Sequence, residues 1–521
     1  AVRALRLRLL DRPGGVRLVE ARLIRPDGVV LLPVPPSAWQ AVSGVASLRV
    51  DRNAVQIEPT DLATEVALGA AFRTPLTLST GWLARVGRVL LLVLPVWLLL
   101  LALVAWLERV DRRTKVCGSV AAWSARHPRL ALAGVALIAT IVSAYPVVFL
   151  GGSFVSAGSG AKLLYDRVPT VPQSTAALGA EVRGADSGAL LWQHLPGTEV
   201  QRAALAEGEL PFWNRYNAAG VDLLAQGQSM FGDPLHLLVL AAGGEPWAWD
   251  LRFLAARFLF IWGMGLLAWR ASRLLGAAAW VGAASGFVGF YVYRVIHPAT
   301  FTVGYAPWVL LGWWSAVDSV ERRGRDRVAA AAVLVAASLG LVLSGTVKEA
   351  VVLSIVLHAA GLAVFVAECP PGRRRTLTWP LLAVLSAGLL AAPWWLPFLD
   401  ALRRSATAYD VPTVFQIPPG LLLGFFDEIF YRPLQPGAQV TNPSANAVVL
   451  VGLLGLVATW RALRPGRGAV VLAWSLVPVA AFTFGWVPPG WIARVPFLGG
   501  VSHWDNCGSL ALLVLTRPLA A

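Results

Sequence analysis

Long runs of apolar residues, separated by polar segments, dominate the chain from Val89 onward. Most runs are roughly 17 to 22 residues long, which is the length that an α-helix needs to cross about 30 Å of hydrocarbon. The pattern therefore predicts a polytopic α-helical membrane protein with about eleven transmembrane helices. The predicted spans are residues 88–107, 130–150, 252–270, 277–294, 300–318, 328–345, 347–367, 378–399, 447–463, 469–487 and 505–518.

The first 75 residues follow a different pattern. Leu5, Leu7 and Leu9 alternate with arginines, and a similar alternation recurs over residues 48–57. A period of two residues is typical of half-buried β-strands. The sequence Arg-Pro-Asp-Gly at residues 25–28 supplies the residue types of a tight turn between two such runs. We therefore expect a small antiparallel β-sandwich, or part of one, over residues 1–75.

Clusters of basic residues mark alternate loops between the predicted spans. Such clusters are typical of cytoplasmic loops. The alternation holds through all eleven spans, and it places the β-domain and both long loops outside a bacterial inner membrane. The chain then divides into a β-domain (1–75), two spans with a basic loop (88–150), a large outer loop (151–251), spans three to eight (252–399), a second outer loop (400–446) and the last three spans (447–518).

Composition supports the membrane assignment. Hydrophobic residues make up 57% of the chain and charged residues 14%, which excludes an ordinary soluble domain. The net charge of +15 would suggest nucleic acid only if the cations formed one patch, but they lie in short clusters between apolar runs. We therefore expect membrane lipid, and not nucleic acid, as a partner. Because the chain begins at Ala1 and stops at Ala521, soon after a short apolar run, we also expect it to be a fragment.

Cofactor signals are weak along the whole sequence. The three cysteines lie far apart and have neither metal-binding nor disulfide spacing. No phosphate-binding loop of the GxxxxGK[ST] type is present, so ATP-driven chemistry has no support. His503 and Asp505 would ligate a divalent cation only together with another acid. No cofactor is predicted with a complete ligand set, and a divalent cation is the one candidate.

The large outer loop contains the best candidates for chemistry. Asp186 precedes Gln193 and His194, and Trp213 and Asn214 follow about twenty residues later. A loop carboxylate can take a proton from an acceptor hydroxyl, while aromatic rings stack on a sugar and amides bind its hydroxyls. The alternative is that these polar residues only solvate and fold the loop.

Charged residues also lie at the predicted outer ends of the helices. Arg294, Lys348, Arg403 and Arg404 carry the groups that bind phosphate oxygens, at the depth of a lipid headgroup. Glu349 follows Lys348 between two apolar helices with almost no loop, so one or both side chains should point into a protein cavity. Glu349 would orient Lys348 or hold sugar hydroxyls. The alternative is that these side chains extend to the headgroups.

The segment from Glu207 to Ala225, EGELPFWNRYNAAGVDLLA, resembles a motif of the bacterial YfhO-like membrane proteins, which are grouped with the glycosyltransferase C superfamily. Weaker similarities follow at His297-Pro298, at Ser344-Gly345 and at residues 392–397. The resemblance covers about residues 130 to 516. It departs from the family at Ser502-His-Trp-Asp-Asn506, where the family usually has an arginine-rich stretch.

The resemblance implies a transferase that takes a sugar from a polyprenyl-phosphate-linked donor and transfers it to a cell-envelope polysaccharide, lipid or protein. The general base of such an enzyme would fall on Asp186. Two other functions stay open. One is a flippase that moves a lipid-linked sugar without chemistry, for which broken helices with charge at mid-bilayer are typical. The other is a scaffold whose β-domain binds glycan, which predicts that Asp186 lies far from Lys348 and Glu349.

Overall fold

The computed structural model describes residues 116–155, 189–217, 220–293, 296–321, 324–404, 414–426, 445–463, 466–492 and 501–521, together with the strands of residues 5–68 and a few single positions. The chain forms two compact units, Ala1–Gly118 and Ser119–Ala521. Asp186, Arg294 and most of the predicted span 88–107 lie outside the described residues.

The described residues of the first unit form eight short strands. They are β1 (Leu5–Arg8), β2 (Val16–Leu18), β3 (Ala21–Ile24), β4 (Val30–Val34), β5 (Trp39–Ser43), β6 (Val45–Val50), β7 (Val55–Pro59) and β8 (Glu65–Leu68). They pair in the orders β1-β8-β5, β2-β7-β6 and β3-β4, all antiparallel. The predicted turn at residues 25–28, between β3 and β4, lies outside the described residues. Closure of these pairs into a sandwich stays a prediction.

Helices make up most of the second unit. From residue 116 onward they are α1 (Val116–Arg126), α2 (Pro128–Ser143), α3 (Tyr145–Phe149), α4 (Leu195–Ala206), α5 (Pro234–Ala241), α6 (Pro246–Ser272), α7 (Leu275–Ala284), α8 (Gly289–Tyr293), α9 (Ala299–Asp318), α10 (Arg325–Leu343), α11 (Val347–Glu368), α12 (Thr378–Leu390), α13 (Ala392–Arg404), α14 (Ala447–Leu463), α15 (Arg467–Thr483), α16 (Pro489–Ile492) and α17 (Trp504–Thr516). A π-helical turn, Ala189–His194, precedes α4, and a two-stranded hairpin (β9, Trp213–Asn214; β10, Val221–Asp222) follows it.

Several helices suit a membrane. Among the described residues, α6, α10 and α11 are long and apolar enough to cross one, and two bent helix pairs would raise the number to five if each pair formed one span. Leucine side chains also face outward from α12, where Leu385 is 57% and Leu389 63% exposed. Such an apolar surface is suited to lipid. The fold is therefore compatible with a helical membrane protein, and the count of eleven spans stays a prediction.

The predicted spans 130–150, 277–294 and 378–399 are interrupted in the structure, the first at Ala144 between α2 and α3. The span 277–294 is divided by a 3-10 segment, Ser285–Phe287. A serine-glycine pair weakens a helix, and the chain packs so closely here that a Cβ on Gly286 would lie 3.3 Å from the Ala139 carbonyl oxygen. The span 378–399 bends by 62° at Ala391. Pro393 lacks the amide hydrogen that would continue α12, but it is tolerated in the first turn of α13.

One ion-pair cluster fixes the relative direction of three helices. Arg270, near the end of α6, lies 2.7 Å from Asp318 at the end of α9 and 3.3 Å from Glu368 at the end of α11. The first residues of these helices therefore lie together at the opposite end of the bundle. Gly304 allows α9 to approach α6 closely, since a Cβ there would lie 2.9 Å from the Ala256 carbonyl oxygen. Close packing of this kind holds the helix ends in place.

Candidate functional site

A buried ion pair lies at that opposite end of the bundle, where the chain between α4 and α6 meets the helices. An Arg252 guanidinium nitrogen is 2.7 Å from the Asp233 carboxylate, and the two side chains are 1% and 0% exposed. The Tyr305 hydroxyl donates to the same carboxylate at 2.9 Å, and Arg252 also donates to the Ser344 carbonyl at 3.1 Å. The pair thus connects α5, α6, α9 and the turn after α10.

His236 extends this network to α4. Its Nδ1 is 3.0 Å from Arg252, and its Nε2 is 2.8 Å from the Gln201 side-chain oxygen. Because arginine can only donate, Nδ1 accepts and the Nε2 hydrogen is donated to Gln201. Gln201 in turn donates to the Ser229 carbonyl at 2.7 Å. Burial, followed by the charge of Arg252, lowers the pKa of His236 well below its usual 6.5.

His194 occupies the last position of the π-helical turn and is only 4% exposed. Its pKa is lowered from 6.5 to about 3, mainly by burial and secondly by the nearby Arg252 charge. Its Nε2 atom has no hydrogen-bond partner among the described residues. Since π-turns are frequent at functional sites, this neutral and partly unsatisfied imidazole is a candidate ligand contact.

The two histidines predict an acid-sensitive fold. In the folded chain both rings stay neutral, whereas in the unfolded chain they take up a proton near pH 6.5, so stability is lost as the pH falls below 6.5 and is unaffected above it. Each histidine contributes a slope of about 1.4 kcal/mol per pH unit over this window. Thermal unfolding of the detergent-solubilised protein between pH 5 and pH 8 should show this slope.

A variant carrying His194→Gln and His236→Gln should weaken that pH dependence, while His127→Gln, at an exposed histidine of the same chain, should leave it unchanged. A double variant with the wild-type slope would contradict the assignment of both rings as neutral.

A hydrogen bond between two glutamines lies near the start of α11, the helix that carries Lys348 and Glu349. Gln193 donates to the Gln226 side-chain oxygen at 2.9 Å. The next residue, Gly227, adopts φ +74°, and a Cβ there would lie 2.3 Å from a Val347 methyl group and 2.8 Å from the Phe398 ring. Only glycine fits this contact. The structure therefore brings Gln193 close to the turn that bears Lys348.

Glu349 lies inside the protein, as the sequence predicts for at least one member of its pair. The carboxylate is 6% exposed, accepts from Asn506 at 3.0 Å and also accepts from the Thr346 hydroxyl. Lys348 beside it is partly buried. The Glu349 carboxylate thus ties the start of α11 to the start of α17.

The remaining predicted residues lie in more exposed positions. Trp213 is 54% exposed and covers Gly220 across the β9–β10 hairpin. The Asn214 side chain accepts from the Tyr216 amide at 3.0 Å, which shapes the hairpin loop. Arg403 and Arg404 end α13, and Arg404 forms an exposed pair with Asp400 at 3.0 Å. In the described part of the chain, no group of three or more His, Cys, Asp and Glu side chains could hold a metal ion.

Sequence reasoning missed the residues at the centre of this network, namely Gln201, Gln226, Asp233, His236 and Arg252. One signal was present, because Arg252 falls within an apolar run and a charge inside a predicted span marks a candidate site. Asp233 caps the start of α5, where it accepts a hydrogen bond from the Leu235 amide. Its ion pair with Arg252 depends on contacts between helices that are distant in the sequence.

The fold and this site define a helical protein, suited to a membrane, with a polar site where a folded loop covers the ends of the helices. Comparison of the chain with protein-family models, curated proteins and solved structures finds no match.

Proposed function

We propose that the protein transfers a sugar from a polyprenyl-phosphate-linked donor to a cell-envelope acceptor on the extracytoplasmic face of a bacterial inner membrane. One observation supports this proposal most directly: the loop that contains Gln193 and His194 is seated against the helix start that contains Lys348 and Glu349. A transferase of this kind needs hydroxyl-binding groups next to a cation at the depth of a lipid headgroup. The resemblance to YfhO-like proteins agrees with the proposal.

In the proposed reaction an oxygen of the acceptor attacks the anomeric carbon of the donor sugar. Asp186 takes the proton from the acceptor hydroxyl, and the bond from the anomeric carbon to the phosphate oxygen breaks. The polyprenyl phosphate leaves with the electron pair, and its negative charge is stabilised by Lys348 together with Arg294, Arg403 or Arg404. Trp213 and Asn214 offer an exposed ring and an amide for the acceptor. No nucleotide is required.

Glu349 is expected to position Lys348 in this reaction. Replacement with glutamine keeps the size of the side chain but removes the charge that receives hydrogen bonds from Thr346 and Asn506. Loss of one charge-assisted hydrogen bond corresponds to about 1.5 kcal/mol, or roughly a tenfold effect on the rate. Proteoliposomes supplied with labelled polyprenyl-phosphate sugars and an envelope extract should therefore form product about ten times more slowly with Glu349→Gln.

The matched control for this variant is Glu207→Gln. Glu207 belongs to the large loop of residues 151–251; its carboxylate is half-exposed and lies 3.4 Å from Arg215. This variant should transfer sugar within twofold of the wild type. Equal rates for Glu349→Gln and the wild type would contradict a role for Glu349 in the reaction.

A flippase for a lipid-linked sugar is the second candidate, and broken helices favour it. The interruptions at Ser285–Phe287 and at Ala391 resemble those of transporters. Two arginines, Arg257 and Arg517, are also buried inside the helical unit. Both donate to carbonyl oxygens near helix ends, Arg257 to Ser143 at 3.0 Å and Arg517 to Val281 at 3.2 Å. Because such contacts also stabilise a static bundle, the transferase remains our first choice.

A further inference from the structure

The helices α1 and α2 meet at a sharp corner. They are bent by 115° from one another, so they cannot cross a membrane together as one straight span. Pro128 lies in the first turn of α2, where its missing amide hydrogen is tolerated, and His127 before it adopts non-helical backbone at φ −126° and ψ 57°. The helix α1 therefore lies across the end of α2.

The side chains of α2 indicate where this end lies relative to a membrane. One face of α2 is buried within the helical unit and includes Leu132 and Ala136, whereas Leu130, Leu137 and Ile138 are exposed. An exposed face of large apolar side chains is suited to hydrocarbon. Because Leu130 belongs to the first turn of α2, the edge of the hydrocarbon falls near the corner, and α1 falls at the level of the headgroups.

The protein itself covers little of α1. From Gly118 to Arg126 every residue is exposed except Ser124, which is half-buried. Val120 and Trp123 are three residues apart, so they share one face of the helix, and they are 55% and 43% exposed. A helix of 11 residues is marginal in water by itself, so a surface that covers this face would stabilise it. Tryptophan is enriched at the interface between membrane and water.

Cations flank this apolar face. Residues 112–129 contain five arginines and lysines and no acidic residue. Arg126 and Arg129 are both exposed, and Arg126 uses its Nε within α1, where it donates to the Ala122 carbonyl at 3.2 Å. The rest of that guanidinium can bind phosphate oxygens outside the helix. A second copy of the chain would bring the same cations against this face, so charge favours an anionic surface as the partner.

We propose that α1 lies in the membrane interface at this end of α2, with Val120 and Trp123 inserted among the lipids and with Arg126 and Arg129 bound to the phosphates of anionic phospholipids. The inference goes beyond the proposed function and does not depend on it, because it requires only that α2 enters the membrane. The charge pattern predicts this leaflet to be the cytoplasmic one, whose surface potential is negative.

Amide hydrogen exchange of the full chain in nanodiscs tests this assignment. The discs contain either phosphatidylcholine alone or a two-to-one mixture of phosphatidylcholine and phosphatidylglycerol. Each arginine should raise the affinity for an anionic surface by roughly fivefold, and salt screens part of this, so the amides of residues 118–126 should exchange about tenfold more slowly in the mixed discs. The amides of residues 132–140 in α2 should exchange alike in both discs and report an intact fold.

Substitutions separate the charge from the apolar contact. Arg126→Gln combined with Arg129→Gln should remove most of the slowing, whereas Arg126→Lys combined with Arg129→Lys should keep most of it, because lysine retains the charge. Trp123→Ser should weaken the slowing in the mixed discs by removing the inserted ring. Arg202→Gln, at an exposed arginine of α4, is the matched control and should behave as the wild type does.

Four results would overturn the proposal. The first two are equal exchange of residues 118–126 in both kinds of nanodisc and full slowing in the double glutamine variant. Protection that persists in a neutral detergent would show that another part of the chain covers α1. Protection that rises with protein concentration in that detergent would show that a second copy covers it.

Discussion

Replacement of Asp186 with asparagine is expected to lower the rate of sugar transfer at least about a hundredfold, the usual size of a general-base contribution. An amide has the shape of the carboxylate but cannot take the proton from an acceptor hydroxyl. The loss should therefore appear in kcat, with little change in KM for the donor. Initial rates in proteoliposomes, at equal amounts of folded protein and equal donor binding, measure the effect.

Glu199→Gln is the control for Asp186→Asn. Glu199 lies in the same long segment, residues 151–251, is exposed, and pairs with Arg202 on α4. Its replacement should change kcat by less than twofold. If Asp186→Asn retains the wild-type kcat, Asp186 is not the general base, even if the protein does transfer sugar from the donor.

Asp233→Asn should destabilise the fold more than Glu349→Gln, Glu207→Gln or Asp400→Asn. It leaves the Arg252 guanidinium, which is 1% exposed, without its counter-charge in a dry environment. Breaking a buried ion pair by removing one partner typically costs about 3 to 5 kcal/mol. The variant should therefore show a large fall in the unfolding temperature of the detergent-solubilised protein.

Two further variants make this prediction specific. Asp400→Asn removes the carboxylate from an exposed pair, in which Arg404 is 77% and Asp400 57% exposed, and should cost at most about 1 kcal/mol. Asp233→Leu combined with Arg252→Met removes both buried charges and should recover part of the loss. An Asp233→Asn protein that unfolds at the wild-type temperature would contradict the buried pair.

The position of the long apolar helices was predictable because hydrophobic run length is a local property. The helices Ala299–Asp318 and Val347–Glu368 agree with the predicted spans within a residue. The break at Ala391 was harder to predict from run length, although Pro393 indicates that a helix can end just before it. The interruption at Ser285–Phe287 depends on contact with Ala139 and Ser143, which lie far away in the chain. Run length cannot report such a contact.

The candidate site was predictable only in part. The burial of Glu349 followed from its position between two apolar runs. The meeting of Gln193 with the Lys348 turn did not, because it depends on Gly227 packing against Val347 and Phe398. Such a contact joins segments more than a hundred residues apart and leaves no local pattern. The sequence supplied the chemical groups, and the packing of the loop on the helices determines which of them meet.

The most direct test of the proposed function follows the donor molecule itself. A doubly labelled polyprenyl-phosphate sugar is added to one leaflet of proteoliposomes with an envelope acceptor, and the label on the sugar and the label on the lipid are followed separately in each leaflet. We predict that the sugar label moves to the acceptor while an equal amount of free polyprenyl phosphate accumulates. Intact donor that appears in the opposite leaflet, with no free polyprenyl phosphate, would contradict the transferase and establish the flippase.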